Sequence, residues 1–307
     1  MEFEALCRKY LTEDDLIQDE PMSRHTSFQA GGQARYFITP QDTEALKQVI
    51  ALCRQEAVPY FILGKGSNLL VSDTGYDGAV IDLTRHLNKI TVEKQEITAQ
   101  AGASLPVLSR VAMMHGLGGL EFAAGIPGSV GGGCVMNAGA YGGEIRHVLK
   151  EAQVLTQEGE ILTIAAEDLA LGYRTSCILE KEYIVLSCTY TLQPRETDLI
   201  LADMKYYNSQ RRLKQPLDKG SAGSTFKRPE GHFAGKLIQD AGLKGYQVGQ
   251  AAVSEKHAGF VVNLGGATAS DIWQVCQDVR RIVNEQFGIN LEMEVKTLGA
   301  FPEQETE

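Results

Sequence analysis

Between Gly116 and Gly143, eleven of twenty-eight residues are glycine and the one charged side chain is Glu121. The centre of this stretch reads G-I-P-G-S-V-G-G, from Gly125 to Gly132. Glycine at that density implies turns with positive φ, or backbone pressed against a neighbour that leaves no room for side chains. Successive N–H groups in such turns form a concave nest for an anion. With no Lys or Arg in the window, a phosphate held there is gripped mainly by backbone dipoles, helped by Ser129 or Asn137. The plainer alternative is a glycine-rich connector over the core, and both remain open at this point. A second glycine turn, G-K-G-S-N-L-L-V from Gly64 to Val71, empties out of the apolar run Tyr60–Leu63. It is not a Walker loop, which requires Gly where this chain has Pro59 and Ser or Thr where it has Gly66. No G-x-G-x-x-G follows a strand-like run, so the Rossmann fingerprint is absent too. Two glycine turns about sixty residues apart, each with a serine and a later asparagine, suit a clamp on a pyrophosphate from two sides.

Residues 42–57 have helical apolar spacing, with Asp42 as N-cap and Leu46, Val49, Ile50 and Cys53 on one face. Tyr60–Leu63 and the alternation Ile97, Ala99, Ala101 read as strands. Ser104 is expected to cap a short helix with Pro106 in its first turn, stopped near Gly116. Residues 151–164 suggest a hairpin turning at Glu158–Gly159, and Tyr183–Leu192 a strand. Pro194–Asp198 is a polar joint, followed by a helix around Leu199–Leu213. A helix over Ser270–Phe287 carries Ile272, Val275, Cys276, Val279, Ile282 and Val283 on its apolar face, and a strand over Asn290–Leu298 closes the chain.

The chain has 307 residues and a formal net charge of −10, which argues against nonspecific binding to nucleic acid or acidic membrane. Lys205–Lys244 is nonetheless +6, leaving −16 for the remainder. Such an excess is either a solvated basic surface or a dock for an anionic ligand. The mixed-charge N-terminus and the absence of long apolar runs point to the cytoplasm. Six scattered cysteines without C-x-x-C pairs argue against disulfides and zinc, and no metal is expected.

H-T-S-F-Q-A-G-G (His25–Gly32), L-G-K-G-S-N-L-L-V, G-I-P-G-S-V-G-G, N-A-G-A-Y-G (Asn137–Gly142), Y-R-T-S (Tyr173–Ser176), A-G-S-T-F-K-R-P (Ala222–Pro229) and L-E-M-E-V (Leu291–Val295) follow in that order. Together they resemble the UDP-N-acetylenolpyruvoylglucosamine reductase family over His25–Gly299. The resemblance implies an α+β chain: a two-subdomain FAD-binding fold of the vanillyl-alcohol oxidase and p-cresol methylhydroxylase type, plus a C-terminal α/β substrate-binding domain. It divides the chain into an N-terminal segment (1–30), an FAD-binding region (31–195) and a substrate-binding domain (196–300). It implies FAD, NADPH as reductant, and UDP-N-acetylglucosamine enolpyruvate as substrate, reduced to UDP-N-acetylmuramate. With no covalent-attachment motif in the chain the FAD is expected to be noncovalent, and a monomer is expected.

Matched by motif, Arg174 is the carboxylate-side cation, Ser224 the proton donor and Glu294 the third catalytic group, with Glu292 the less favoured neighbour. Gly64, Lys65, Gly66, Ser67, Asn68, Leu69, Gly125, Ile126, Pro127, Gly128, Ser129, Gly131, Gly132, Asn137 and Ala138 would contact the cofactor, and Tyr173, Arg212 and Lys236 the substrate. The short spacing from Arg174 to Ser224 resembles the branch without an inserted tyrosine-bearing substrate loop. Lys296 stands where many relatives carry arginine, which leaves a flavin contact at that position unassigned. His25, His232 and His257 carry no assigned role. The competing readings are an alcohol oxidase on the same FAD scaffold and a nonenzymatic UDP-sugar binder.

Overall fold

The two best-marked helices form where their apolar spacing places them. In a computed structural model that describes residues 2–302, Thr43–Gln55 is helical, and the Asp42 carboxylate accepts a 2.8 Å hydrogen bond from the Ala45 N–H. Met1 of the expected N-terminal segment lies outside the described residues. The Ala269–Phe287 helix starts one residue earlier than expected, because Thr268 and Asp271 form a reciprocal capping box. Asp73 reinforces that start by accepting from the N–H groups of Ala269 and Ser270, at 2.8 Å each. Burial opposes ionisation of Asp73, yet hydrogen bonds from Ser270 and Ala269 hold its carboxyl below the ordinary range.

The chain divides into two compact units that interleave along the sequence: Met1–Gln18, Tyr36–Lys65 and Gly78–Gln210 in the first, Asp19–Arg35, Gly66–Asp77 and Arg211–Glu307 in the second. In the first, five antiparallel strands run in the order Ile161–Ala165, Leu149–Leu155, Ile184–Thr191, Glu96–Gln100, Ile90–Glu93. The expected hairpin is present, closed by Thr156 N–H on Glu160 O at 2.8 Å with Gly159 at φ +83°. A second sheet orders Leu16–Pro21, Gln33–Ile38, Tyr76–Asp82 and Tyr60–Leu63, the last two parallel. One apolar core runs through this unit from Leu46 and Ile81 to Ile97, Leu105 and Tyr190. The second unit packs the 269–287 helix against a three-stranded sheet, Gln247–Val248, Ala251–Val253 and Val261–Asn263. Helices set beside mainly antiparallel sheets give the expected α+β class.

Two local expectations fail for tertiary reasons. Ser104 precedes the Leu105–Met114 helix, but its side chain makes no cap bond; its backbone instead bridges antiparallel to Ser129. Of the expected strand Asn290–Leu298, only Lys296–Leu298 forms, parallel to Leu69–Val71. Residues 292–294 give their backbone groups to the 225–227 loop.

Asp15, 3% exposed, ties the N-terminal segment to the first unit through Thr12, Thr39 (2.9 Å), Gln41 (2.6 Å) and His86 (2.9 Å). Burial raises its pKa, but the hydrogen bonds from Thr12, His86 and Thr39 and the charge of His86 outweigh that and bring it from 3.8 to about 2. A depressed pKa stabilises the fold above the unfolded value and loses that support as pH falls toward the folded one. Asp15→Asn is therefore expected to destabilise at neutral pH by about 2 kcal/mol, with the gap from the parent closing between about pH 4 and 2. Denaturant melts across that window measure it, and a pH-independent gap would refute the ionic origin.

Candidate active site

The glycine-rich region serves the protein's own packing more than the sequence suggested. The N–H groups of Ile126, Gly128, Val130, Gly131 and Gly133 all end on the chain's own carbonyls, and that of Gly132 on Ser129 Oγ. The nest expected over Gly125–Gly132 is thus largely spent internally, because the segment docks against residues 101–105 (Val130 N–H on Ala103 O and Gly131 N–H on Ala101 O, both 2.8 Å). A Cβ on Gly131 would lie 2.9 Å from that of Ala101, so glycine is what admits the short helix Val130–Val135 to its place. The two glycine turns do meet. A Cβ on Gly64 would fall 2.3 Å from the Ser129 hydroxyl, so the first turn lies directly against the serine that caps this helix. Pro127 and Gly132 remain exposed, with Ala138 half-buried beyond the helix.

The open donors are in the other turn. Among the described residues, the N–H groups of Gly66, Ser67 and Asn68 meet no protein acceptor. Gly66 sits at φ +57°, and a Cβ there would lie 1.9 Å from His25 O, with Ser27 N–H donating to Gly66 O at 3.0 Å. A row of unspent donors on a glycine-bent backbone fits an anionic group such as a diphosphate. Gly66→Ala is expected to cost at least about 1–2 kcal/mol from the left-handed backbone alone and to lower the melting temperature by several degrees; an unchanged melt would show that the turn relaxes freely.

Arg174 occupies the tip of a tight turn in which Gly172 N–H donates to Thr175 O at 3.1 Å. Its φ is +56°, an uncommon conformation for a non-glycine residue and one concentrated at functional sites. The guanidinium carbon lies 5.1 Å from the centroid of the Tyr173 ring, whose face attracts cations. Tyr173 is about half exposed and Arg174 half-buried. The Asn137 side chain donates to Gly172 O (3.0 Å) and Glu144 (2.9 Å) and accepts from Arg146 N–H (3.0 Å). These bonds turn it toward the protein.

In the second unit the A-G-S-T-F loop and the L-E-M-E-V segment come together. Thr225, fully buried, donates its N–H to Gly259 O (2.9 Å), accepts from Val261 N–H on its hydroxyl (3.0 Å), and accepts from Glu294 N–H on its carbonyl (2.9 Å). Ser224 stands next to this anchor and is exposed. Glu294 O in turn accepts from Asn68 Nδ2 at 3.0 Å. Backbone bonds of Thr225 and Glu294 therefore link the segments that carry Ser224 and Glu294 to Asn68 of the G-K-G-S-N turn. Glu292 is exposed and ion-paired with Lys227, whereas Glu294 is half-buried.

Among the proposed substrate contacts, Arg212 is exposed at the end of the Thr197–Lys214 helix, and its carbonyl accepts from Lys256 Nζ at 2.6 Å. Lys236 is paired with Asp240 at 2.5 Å on an exposed helix face. Lys65 is exposed, and Leu69 is buried at the start of the strand that pairs with Lys296–Leu298. His25 bonds Glu20 at 2.9 Å. His257 accepts from Gly259 N–H at 3.1 Å, and burial lowers its pKa. Thr225 went unnoticed in the sequence: a threonine beside the motif serine carries no periodic signal.

Residues 34–165 match the FAD binding domain, and residues 215–298 match the C-terminal domain of UDP-N-acetylenolpyruvoylglucosamine reductase. A UDP-N-acetylenolpyruvoylglucosamine reductase of Clostridium perfringens is 49% identical over 299 residues, covering 97% of this chain and 98% of the relative. That of Lachnoclostridium phytofermentans is 50% identical over 285 residues, 92% of each. The crystal structure of the Thermus caldophilus enzyme superposes with a TM-score of 0.79 at 35% identity, covering 93% of this chain and 98% of that one. Likeness at this level over nearly the full length, together with the glycine turns and the linked Ser224 and Glu294 segments, places the chain in the UDP-N-acetylenolpyruvoylglucosamine reductase family, with an FAD-binding fold.

Proposed function

We propose that the enzyme works in the cytoplasm as a monomer, reducing UDP-N-acetylglucosamine enolpyruvate to UDP-N-acetylmuramate for peptidoglycan precursor synthesis. FAD, when bound, would supply the redox chemistry that links NADPH oxidation to reduction of the enolpyruvyl alkene. The G-K-G-S-N turn, Gly64, Lys65, Gly66, Ser67 and Asn68, followed by Leu69, would hold the FAD diphosphate noncovalently through its open N–H groups. Gly125, Ile126, Pro127, Gly128, Ser129 and Gly132, with Ala138, would form the surface it lies on. Residues 31–195 would serve the cofactor and, through Tyr173 and Arg174, the substrate carboxylate, while 196–300 would serve the rest of the substrate, whose diphosphate would meet Arg212 and Lys236.

Hydride addition drives electron density onto the substrate carboxylate as an enolate and leaves the neighbouring carbon in need of a proton. Arg174, a planar and permanently charged fork, stabilises that carboxylate, with Tyr173 beside it. Ser224 gives its hydroxyl proton to the carbon. Glu294 polarises the substrate or orients its neighbours. The observation that supports this reading is that the Glu294 backbone bonds to both Thr225 and Asn68, which brings the segments carrying Ser224 and Glu294 beside the G-K-G-S-N turn.

The test is anaerobic absorbance spectroscopy. Purified protein should show a flavin spectrum that NADPH bleaches and that one equivalent of enolpyruvyl substrate restores, with UDP-N-acetylmuramate formed. Bleaching without substrate-driven recovery would refute the proposed substrate.

A further inference from the structure

We propose that Asn137 is a positioning residue for Arg174, acting on the substrate through the Tyr173–Arg174 turn rather than on the cofactor. The proposal rests on the carboxylate role given to Arg174 above.

Arg174 sits where a side chain is hard to hold. Its turn is only two residues wide, its backbone is left-handed, and Tyr173 and Thr175 on either side are exposed. The position of such a tip follows in part from what grips its two legs. Both legs are gripped, and from the same place. The outgoing leg is held by Ser176, 1% exposed, whose hydroxyl donates to Val135 O at 2.8 Å. The incoming leg is held by Asn137, also 1% exposed, whose amide donates to Gly172 O at 3.0 Å. Val135 and Asn137 end the short glycine helix whose first turn is capped by Ser129 against Gly64.

The asparagine is itself fixed on every side. Its second amide proton goes to Glu144, and its carbonyl takes the Arg146 N–H. Glu144 is further held by the Arg146 guanidinium at 2.8 Å, with His147 closing the turn on Glu144 N–H. Asn137 adopts φ +42°, a conformation asparagine tolerates better than most residues. A buried amide with both donors and its acceptor engaged is costly to remove. Its donor to Gly172 points at the one segment that carries the proposed catalytic cation. Displacement of a positioned group by about 1 Å is worth about 10²-fold in rate, so loosening this leg should appear in the substrate step.

The experiment is a double-mutant cycle in the flavin-loaded enzyme. Asn137→Gly keeps the left-handed backbone available and removes the tie. We expect it to leave FAD affinity, measured by flavin fluorescence on titration into stripped protein, and the rate of NADPH bleaching unchanged. Substrate-driven recovery should slow by about 10²-fold. In an Arg174→Ala background the same change should add no further loss, because the cation it positions is gone. Ser176→Ala, which cuts the other leg, should show the same pattern and covers the case in which Asn137→Gly folds poorly. Multiplicative losses in the double variant, or weakened FAD affinity as the main effect, would overturn the proposal while leaving the role of Arg174 standing. A silent Arg174→Ala would overturn the role of Arg174, and the positioning proposal with it.

Discussion

Ser224→Ala should leave NADPH-driven bleaching of the flavin intact and slow its substrate-driven recovery by about 10²–10⁴-fold, the range for losing a positioned proton donor. The separation arises because the hydroxyl acts only after hydride has reached the alkene. Stability should hardly change: Ser224 is exposed, and the loop is anchored by its neighbour Thr225, not by Ser224 itself. Stopped-flow absorbance on each half-reaction decides it. Equal loss in both would place the serine in cofactor or nicotinamide binding instead. A serine hydroxyl is a weak acid, so its use requires that the enolate carbon be strongly basic and that the hydroxyl be held in line.

Arg174→Ala should cost the same half-reaction about 10²–10³-fold, as removal of one fixed electrostatic partner from a developing anion does. Arg174→Lys should recover little of it. Lysine keeps the charge but loses the planar fork that meets a carboxylate with two parallel bonds. The left-handed backbone at this position is equally unfavourable for Ala and Lys, so strain does not separate the two variants. A lysine variant with parental recovery rate would show that a point charge suffices and that the fork geometry is irrelevant. Flavin content should be parental in both, since the side chain points from a turn that is bonded to the glycine helix through Gly172 and Ser176.

The parts of the fold visible in the sequence are those whose signals are local. Asp42 and the apolar face at Leu46, Val49, Ile50 and Cys53 mark a helix that needs no distant partner to be recognised. Arg174, Ser224 and Glu294 are singled out only by family resemblance, since an isolated Arg, Ser or Glu says nothing about chemistry, and their proposed roles await the half-reaction tests. What stayed hidden is set by partners far along the chain. The bond from Asn137 to Gly172, 35 residues away, leaves no mark in the local sequence. Gly131 and Gly143 looked like room for a ligand, whereas their missing side chains make room for Ala101 and Phe122. Sequence cannot distinguish a glycine that admits a cofactor from one that admits the protein itself. The strand expected from Asn290 broke up for the same reason, its early residues being drawn to the 225–227 loop.

Pairing of Lys296–Leu298 with Leu69–Val71, and of Asn68 with Glu294 across 226 residues, sets a timetable for the chain's manufacture. At about 5–20 residues per second, the ribosome exposes the apolar Leu69–Val71 edge for roughly 10–45 s before its partner exists. A bare apolar edge is a site for wrong pairing, so the nascent chain depends on chaperone cover or on speed through this interval. A product released before Lys296 keeps every glycine of the G-K-G-S-N turn yet lacks the strand that pairs with the residues following it.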